Sequence, residues 1–144
     1  MQLLRRSNTH SLISILALVA IVGCGGDDAV SPSVPTGTFA ATTFQVTPDG
    51  QAPINVLSQG GTLTVTLSGN NSVTGQLHLP ASVIGTELTA NLTGTVVVSG
   101  NTISFQQAVD TFVRDLDWIV GTNTLTVTNQ RAGSAIFTIT LTRQ

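Results

Sequence analysis

Gly61-Thr62-Leu63-Thr64-Val65-Thr66-Leu67-Ser68 is the stretch on which the fold turns. Leu63, Val65 and Leu67 fall on one side of an extended chain, and the threonines between them fall on the other. Successive side chains leave opposite faces of a pleated strand, so a period of two rich in β-branched residues marks a half-buried strand. Gly69-Asn70-Asn71 follows, and these residues tolerate the positive φ of a tight turn. Val73, Gly75, Leu77 and Leu79 then repeat the alternation until Pro80 ends it. The two runs form an antiparallel hairpin.

The same grammar continues on both sides. Leu92 to Val98 is the next strand after a loop from Pro80 to about Ala90, and Gly94 within it marks a bulge or a sharp bend. Ser99-Gly100-Asn101 turns the chain into Thr102 to Gln107, with Ile103 and Phe105 facing in. Thr111 to Val120 reads as a strand that puts Phe112, Leu116, Trp118 and Val120 on one side and Asp115 and Asp117 on the other. Gly121-Thr122-Asn123 turns into Leu125 and Val127, and Asn129 to Gly133 turns into Phe137, Ile139 and Leu141. Upstream, Thr38 to Val46 is a strand ended by Thr47-Pro48-Asp49-Gly50, and a shorter one follows at Ile54 to Leu57.

Eight or nine short strands with close turn signals and no amphipathic helix describe an all-β domain, residues 37 to 144. Short connections favour an antiparallel meander, and closing it into a small barrel removes edges that would otherwise seed aggregation. Its predicted core is Leu63, Val65, Leu67, Leu77, Ile103, Phe105, Phe112, Trp118, Leu125, Phe137 and Ile139. The competing architecture is an immunoglobulin-like sandwich, whose Greek-key order sets strands distant in sequence side by side. The pairing that separates the two is that of the first strand with the last.

The N-terminus has another character. Arg5 and Arg6 precede an apolar run from Leu12 to Val22, interrupted only by Ser14. A spanning helix needs about 20 apolar residues, so this shorter run is an N-terminal signal helix for export. Ile21-Val22-Gly23-Cys24 resembles the lipobox of bacterial lipoproteins. The resemblance implies removal of residues 1 to 23, diacylglycerol on the Cys24 thiol, a further acyl chain on its amine, and the membrane as a partner. Two or more acyl chains hold firmly, at about 0.8 kcal/mol per buried methylene. Gly25 rather than Asp after the cysteine implies the outer membrane, by the rule of enterobacteria-like systems. Residues 25 to 36 mix small, acidic and proline residues without an apolar period, so residues 24 to 36 form the acylated cysteine and a solvated tether.

A second resemblance rests on Gly37-Thr38-Phe39 in the first strand, the meander, and Arg143 at the end of the last strand. These features are similar to the lipocalin-like barrels, although lipocalins carry Gly-x-Trp where this chain has Phe39. The resemblance implies a barrel whose mouth or interior holds a small apolar molecule. Eight strands leave an interior that side chains alone can fill.

Charge narrows the function further. From Cys24 onward, three arginines and no lysine face seven acidic residues, a formal balance of −4. Such a surface repels phosphate backbones, so nucleic acid is not an expected partner. Threonine, serine, asparagine and glutamine supply most of the polarity, which makes the exterior hydroxyl-rich. Asp115 and Asp117 are the candidate calcium ligands, set against the plainer reading of two carboxylates on a solvent face. Arg114 shares the phase of Phe112, Leu116 and Trp118, which makes Arg114 and Trp118 the candidate ligand contacts; a rim position suits the arginine better, because an unpaired buried charge is costly. His78 faces out and is too solitary for a zinc site. No Gly-x-Ser-x-Gly elbow presents a serine, and no spacing selects a carboxylate pair. The expectation is a non-enzymatic protein without cofactor that binds a small apolar molecule or lipid; the alternative is a structural or adhesion-like surface domain.

Overall fold

Alternating apolar and hydroxyl side chains set nine antiparallel strands in the computed structural model, which describes residues 34–144. The expected signal helix, the lipobox-like stretch and Cys24 lie outside the described residues. The strands are β1 (Gly37–Pro48), β2 (Ile54–Asn55), β3 (Thr62–Leu67), β4 (Ser72–Leu79), β5 (Leu88–Ser99), β6 (Thr102–Gln107), β7 (Asp117–Val120), β8 (Thr124–Ala132) and β9 (Ala135–Arg143). From β3 to β9 each strand pairs with its successor. The meander then closes on itself, because β1 pairs with β3 from Gly37↔Leu67 to Ala40↔Thr64 and with β9 from Phe39↔Arg143 to Pro48↔Ala135. The result is a closed eight-stranded barrel, with β2 added against the far half of β1 through Gln45↔Asn55 and Val46↔Ile54. First-to-last pairing is the contact that rules out the sandwich.

Inside, the period of two holds. Every predicted core residue except Phe112 is buried, and Trp118 meets Phe105 edge to face with ring centroids 5.6 Å apart. Outside stand hydroxyls, such as Thr42 bonded to Thr142 at 2.9 Å and Thr38 to Thr66 at 2.9 Å. This apolar-in, hydroxyl-out arrangement is the reverse of a bilayer-spanning barrel, whose outer band is apolar.

Two bulges change the phase of long strands. In β1 the register to β9 shifts between Ala41 and Thr43, so Phe39 before it and Phe44 and Val46 after it all face the core. In β8 it shifts between Val127 and Gln130, with Asn129 at φ 51°. Asn129 is therefore a bulge and not the start of a turn; β8 runs on to Ala132, and Gly133-Ser134 makes the turn.

Gly94 proves to be a close approach, not a bulge. The ladders run unbroken through it, with Gly94 opposite both Val73 and Gln107. A Cβ there would sit 2.0 Å from the Gln106 carbonyl oxygen, and one at Gly75 would sit 2.2 Å from that of Thr64. Both glycines share the inward phase of their strands, so neighbouring backbones of this wall approach closely at positions where no side chain fits.

The segment from Thr111 to Val120 differs from its sequence reading. Thr111 begins a 3-10 turn over Phe112–Asp115, closed by Arg114 N–H donating to the Thr111 carbonyl at 3.2 Å, and the strand starts only at Asp117. A period of two does not survive a helical turn. Val113 is consequently the buried residue, Phe112 is only partly buried, and Arg114 is exposed. Buried beneath the turn, Trp118 Nε1–H donates to the Val113 carbonyl at 3.1 Å and fixes it in place. The reading of residues 80 to 90 as a plain loop is also corrected: one helical turn, α1 (Ala81–Ile84), follows Pro80, and β5 begins at Leu88.

The alternating strand directions sort the connections by end. At the near end the chain comes in at Val34, where Thr36 lies beside Gly69, and the turns β3–β4, β5–β6 and β7–β8 are tight. The far end carries the longer connections, those holding β2, α1 and the 3-10 turn, with the two-residue β8–β9 turn beside them.

Candidate functional site

A cleft of about 620 Å³ opens at the far end. Each long connection contributes to it: Ile54 from β2, Val83 and Ser82 from α1 and Phe112 from the 3-10 turn, together with Ser134 from the short β8–β9 turn and Val46, Leu79, Ala135 and Phe137 from strands. Its aromatic wall is ordered. Phe112 stacks on Phe137 with centroids 4.3 Å apart at 11°, and Phe44 lies 5.9 Å from Phe112 at 48°. Phe112 was predicted as core, but the 3-10 turn lifts it from the strand phase to the mouth. The volume falls within the roughly 300 to 1,000 Å³ of small-molecule sites, which are typically apolar with a few polar groups.

The rest of the barrel leaves little room. Leu63, Val65, Leu77, Leu92, Ile103, Leu125 and Ile139 are at most 1% exposed. At the near end the Arg143 guanidinium carbon sits 5.4 Å from the centre of the Phe39 ring and covers it. Among the described residues two buried polar side chains break the apolar pattern: Thr111 Oγ1 donates to Gln107 Oε1 at 3.3 Å, while the Gln107 amide nitrogen has no partner.

Comparison with family models, curated proteins and solved structures found no match for this chain.

The predicted contacts sit around the cleft, not in it. Arg114 is exposed on the 3-10 turn, 2.7 Å from Asp110 and 3.5 Å from Asp115, and does not line the cleft. Its strand phase is corrected by that turn, which leaves the side chain exposed. Trp118 is buried and does not line the cleft; it bonds the carbonyl of Val113, next in sequence to the lining residue Phe112. Asp115 and Asp117 are not brought together as a calcium pair: Asp115 faces Arg114, while Asp117 accepts from Ser104 Oγ at 3.1 Å. Among the described residues no group of three or more His, Cys, Asp or Glu side chains is placed to hold a metal. His78 is half-buried, with Nδ1 3.1 Å from Thr89 Oγ1 and 3.9 Å from Glu87.

The lining residues Ile54, Val83 and Phe112 were not singled out as a site by sequence. A usable signal existed, since Ala81-Ser82-Val83-Ile84 places two branched apolar residues in a segment bounded by Pro80 and Gly85. Apolar residues in a short connection have something to cover.

Proposed function

We propose that this chain is a lipid-anchored envelope protein, tethered through acyl chains on Cys24, whose lipocalin-like barrel binds a small apolar molecule in the far-end cleft without catalysing its conversion. The observation that carries the binding role is the cleft itself: an aromatic and aliphatic wall at the one mouth where long connections gather, over an interior otherwise filled by side chains. The anchoring role rests on the lipobox and the short apolar run before it. The two fit together in space, because Val34 lies at the near end and a tethered barrel can hold its cleft away from the surface that anchors it.

The anchor is tested by intact-mass spectrometry of the membrane fraction, which should find the mature chain beginning at Cys24 with acyl mass added. An unmodified chain beginning elsewhere defeats that half. The binding role is tested by native mass spectrometry of the full chain purified in mild detergent, beside Ser82→Trp, which places a bulky side chain in the cleft. A co-purified apolar molecule lost in the variant supports it. A bare chain in both cases moves the assignment to a structural surface domain, for which the hydroxyl-rich exterior suffices.

A further inference from the structure

We infer that the cleft takes uncharged apolar molecules and turns away carboxylates. This deepens the reading of the far-end cleft as a ligand site and rests on it.

The first observation is the lining. Among the described residues no charged side chain lines the cleft; its polar side chains are Gln51, Ser82 and Ser134. These can bond a hydroxyl, carbonyl or amide, but none can neutralise an anion. A carboxylate drawn into such a site gives up its water without meeting a cation to replace it, which disfavours its entry.

The second observation concerns the rim, where an amphiphile would otherwise leave its headgroup in water. All five side-chain carboxylates of residues 34–144 belong to far-end segments: Asp49, Glu87, Asp110, Asp115 and Asp117. Only two guanidiniums accompany them, and both are engaged. Arg131 donates to both oxygens of Asp49 at 2.8 and 2.9 Å, and Arg114 is held by Asp110 and Asp115. The third arginine, Arg143, is at the opposite end over Phe39. The far-end segments thus carry a formal excess of three negative charges, a field that disfavours an anionic headgroup at that end of the barrel. Buried or at the rim, the carboxylate finds no favourable place.

The test uses the full chain and two probes of equal chain length, decanol and decanoate, in equilibrium dialysis at neutral pH below micelle formation. Decanol should bind, and decanoate should bind about tenfold more weakly or worse, a difference of about 1.4 kcal/mol. Gln51→Lys, or Ser134→Lys should the first variant fold poorly, supplies the missing cation and should close that gap by strengthening decanoate alone. Equal binding of both probes to the native chain overturns the selectivity and leaves the cleft standing as a ligand site. Binding of neither probe overturns both.

Discussion

The guanidinium of Arg143 lies over the ring of Phe39, 5.4 Å from its centre, and joins the first strand of the barrel to the last. The two residues are also register partners in the β1–β9 ladder. The contact therefore sits where closure of the meander is completed, and it covers an aromatic ring that would otherwise face water at the near end. A cation over an aromatic face contributes about 0.5 to 2 kcal/mol. Arg143→Ala should lower stability by about that amount in urea denaturation, while Arg143→Lys, which keeps the charge but not the planar group, should fall between. An alanine variant as stable as the parent would mean that the ladder alone closes the barrel.

Trp118 should matter for a different reason. Its indole N–H satisfies the Val113 carbonyl inside the protein, at 3.1 Å. Trp118→Phe preserves an aromatic body against Phe105 but leaves that carbonyl without its donor, at a cost of about 1 to 3 kcal/mol. The midpoint of unfolding followed by circular dichroism should fall accordingly. Faster hydrogen exchange in residues 111–116 than elsewhere would locate the effect in the 3-10 turn.

The strands and the closed barrel were legible in the sequence because a half-buried strand writes its burial pattern directly, as Leu63, Val65 and Leu67 do. Legibility failed wherever backbone geometry departed from that period. The bulge at Ala41–Thr43 resets the phase of β1, the 3-10 turn exchanges Arg114 for Val113, and Asn129 imitates a turn while serving as a bulge. The cleft was hidden for the same reason. It is assembled from the connections, whose residues come together only after the strands have set the distances between loop ends.

Gly75 and Gly94 give the most direct test of the tight wall. A methyl group at either position would meet a neighbouring strand's carbonyl oxygen, at 2.2 and 2.0 Å respectively, and backbone in a ladder cannot swing aside as a side chain can. Gly75→Ala and Gly94→Ala should each destabilise by about 1 to 3 kcal/mol or more, as overpacked positions do. Chemical denaturation measures it, and a neutral effect at both would show that the wall relaxes freely.

Gln130 stands in for missing backbone pairing. The β7–β8 ladder covers only Ile119↔Thr126 and Val120↔Leu125. Beyond it the Gln130 amide accepts from Asp117 N–H at 2.8 Å and donates to the Asp117 carbonyl at 2.6 Å. Gln130→Ala removes both bonds, each with a net value of about 0.5 to 1.5 kcal/mol. Gln130→Glu keeps the acceptor, loses the donor and adds a charge beside Asp117, so it should not rescue stability. Raised amide exchange at Asp117 in Gln130→Ala, and not in Gln130→Glu, is the signature.

Phe112 and Ser82 separate the cleft's role in stability from its role in binding. Phe112 stacks on Phe137 and touches Phe44, so its loss removes wall and packing together. Full burial of a phenylalanine makes truncation to alanine cost about 3 to 5 kcal/mol, and this ring is only partly buried, so Phe112→Ala should cost less than that range. It should also weaken decanol binding, since the wall a ligand would cover is gone. Ser82 is exposed on α1 and its side chain packs into no core cluster, so Ser82→Trp should leave the unfolding midpoint nearly unchanged while reducing the space available to a ligand. A cleft that binds ligand therefore predicts weakened binding in both variants but a clear stability loss only in Phe112→Ala. If decanol affinity instead follows stability across the pair, the molecule is entering through partial unfolding and not through the cleft.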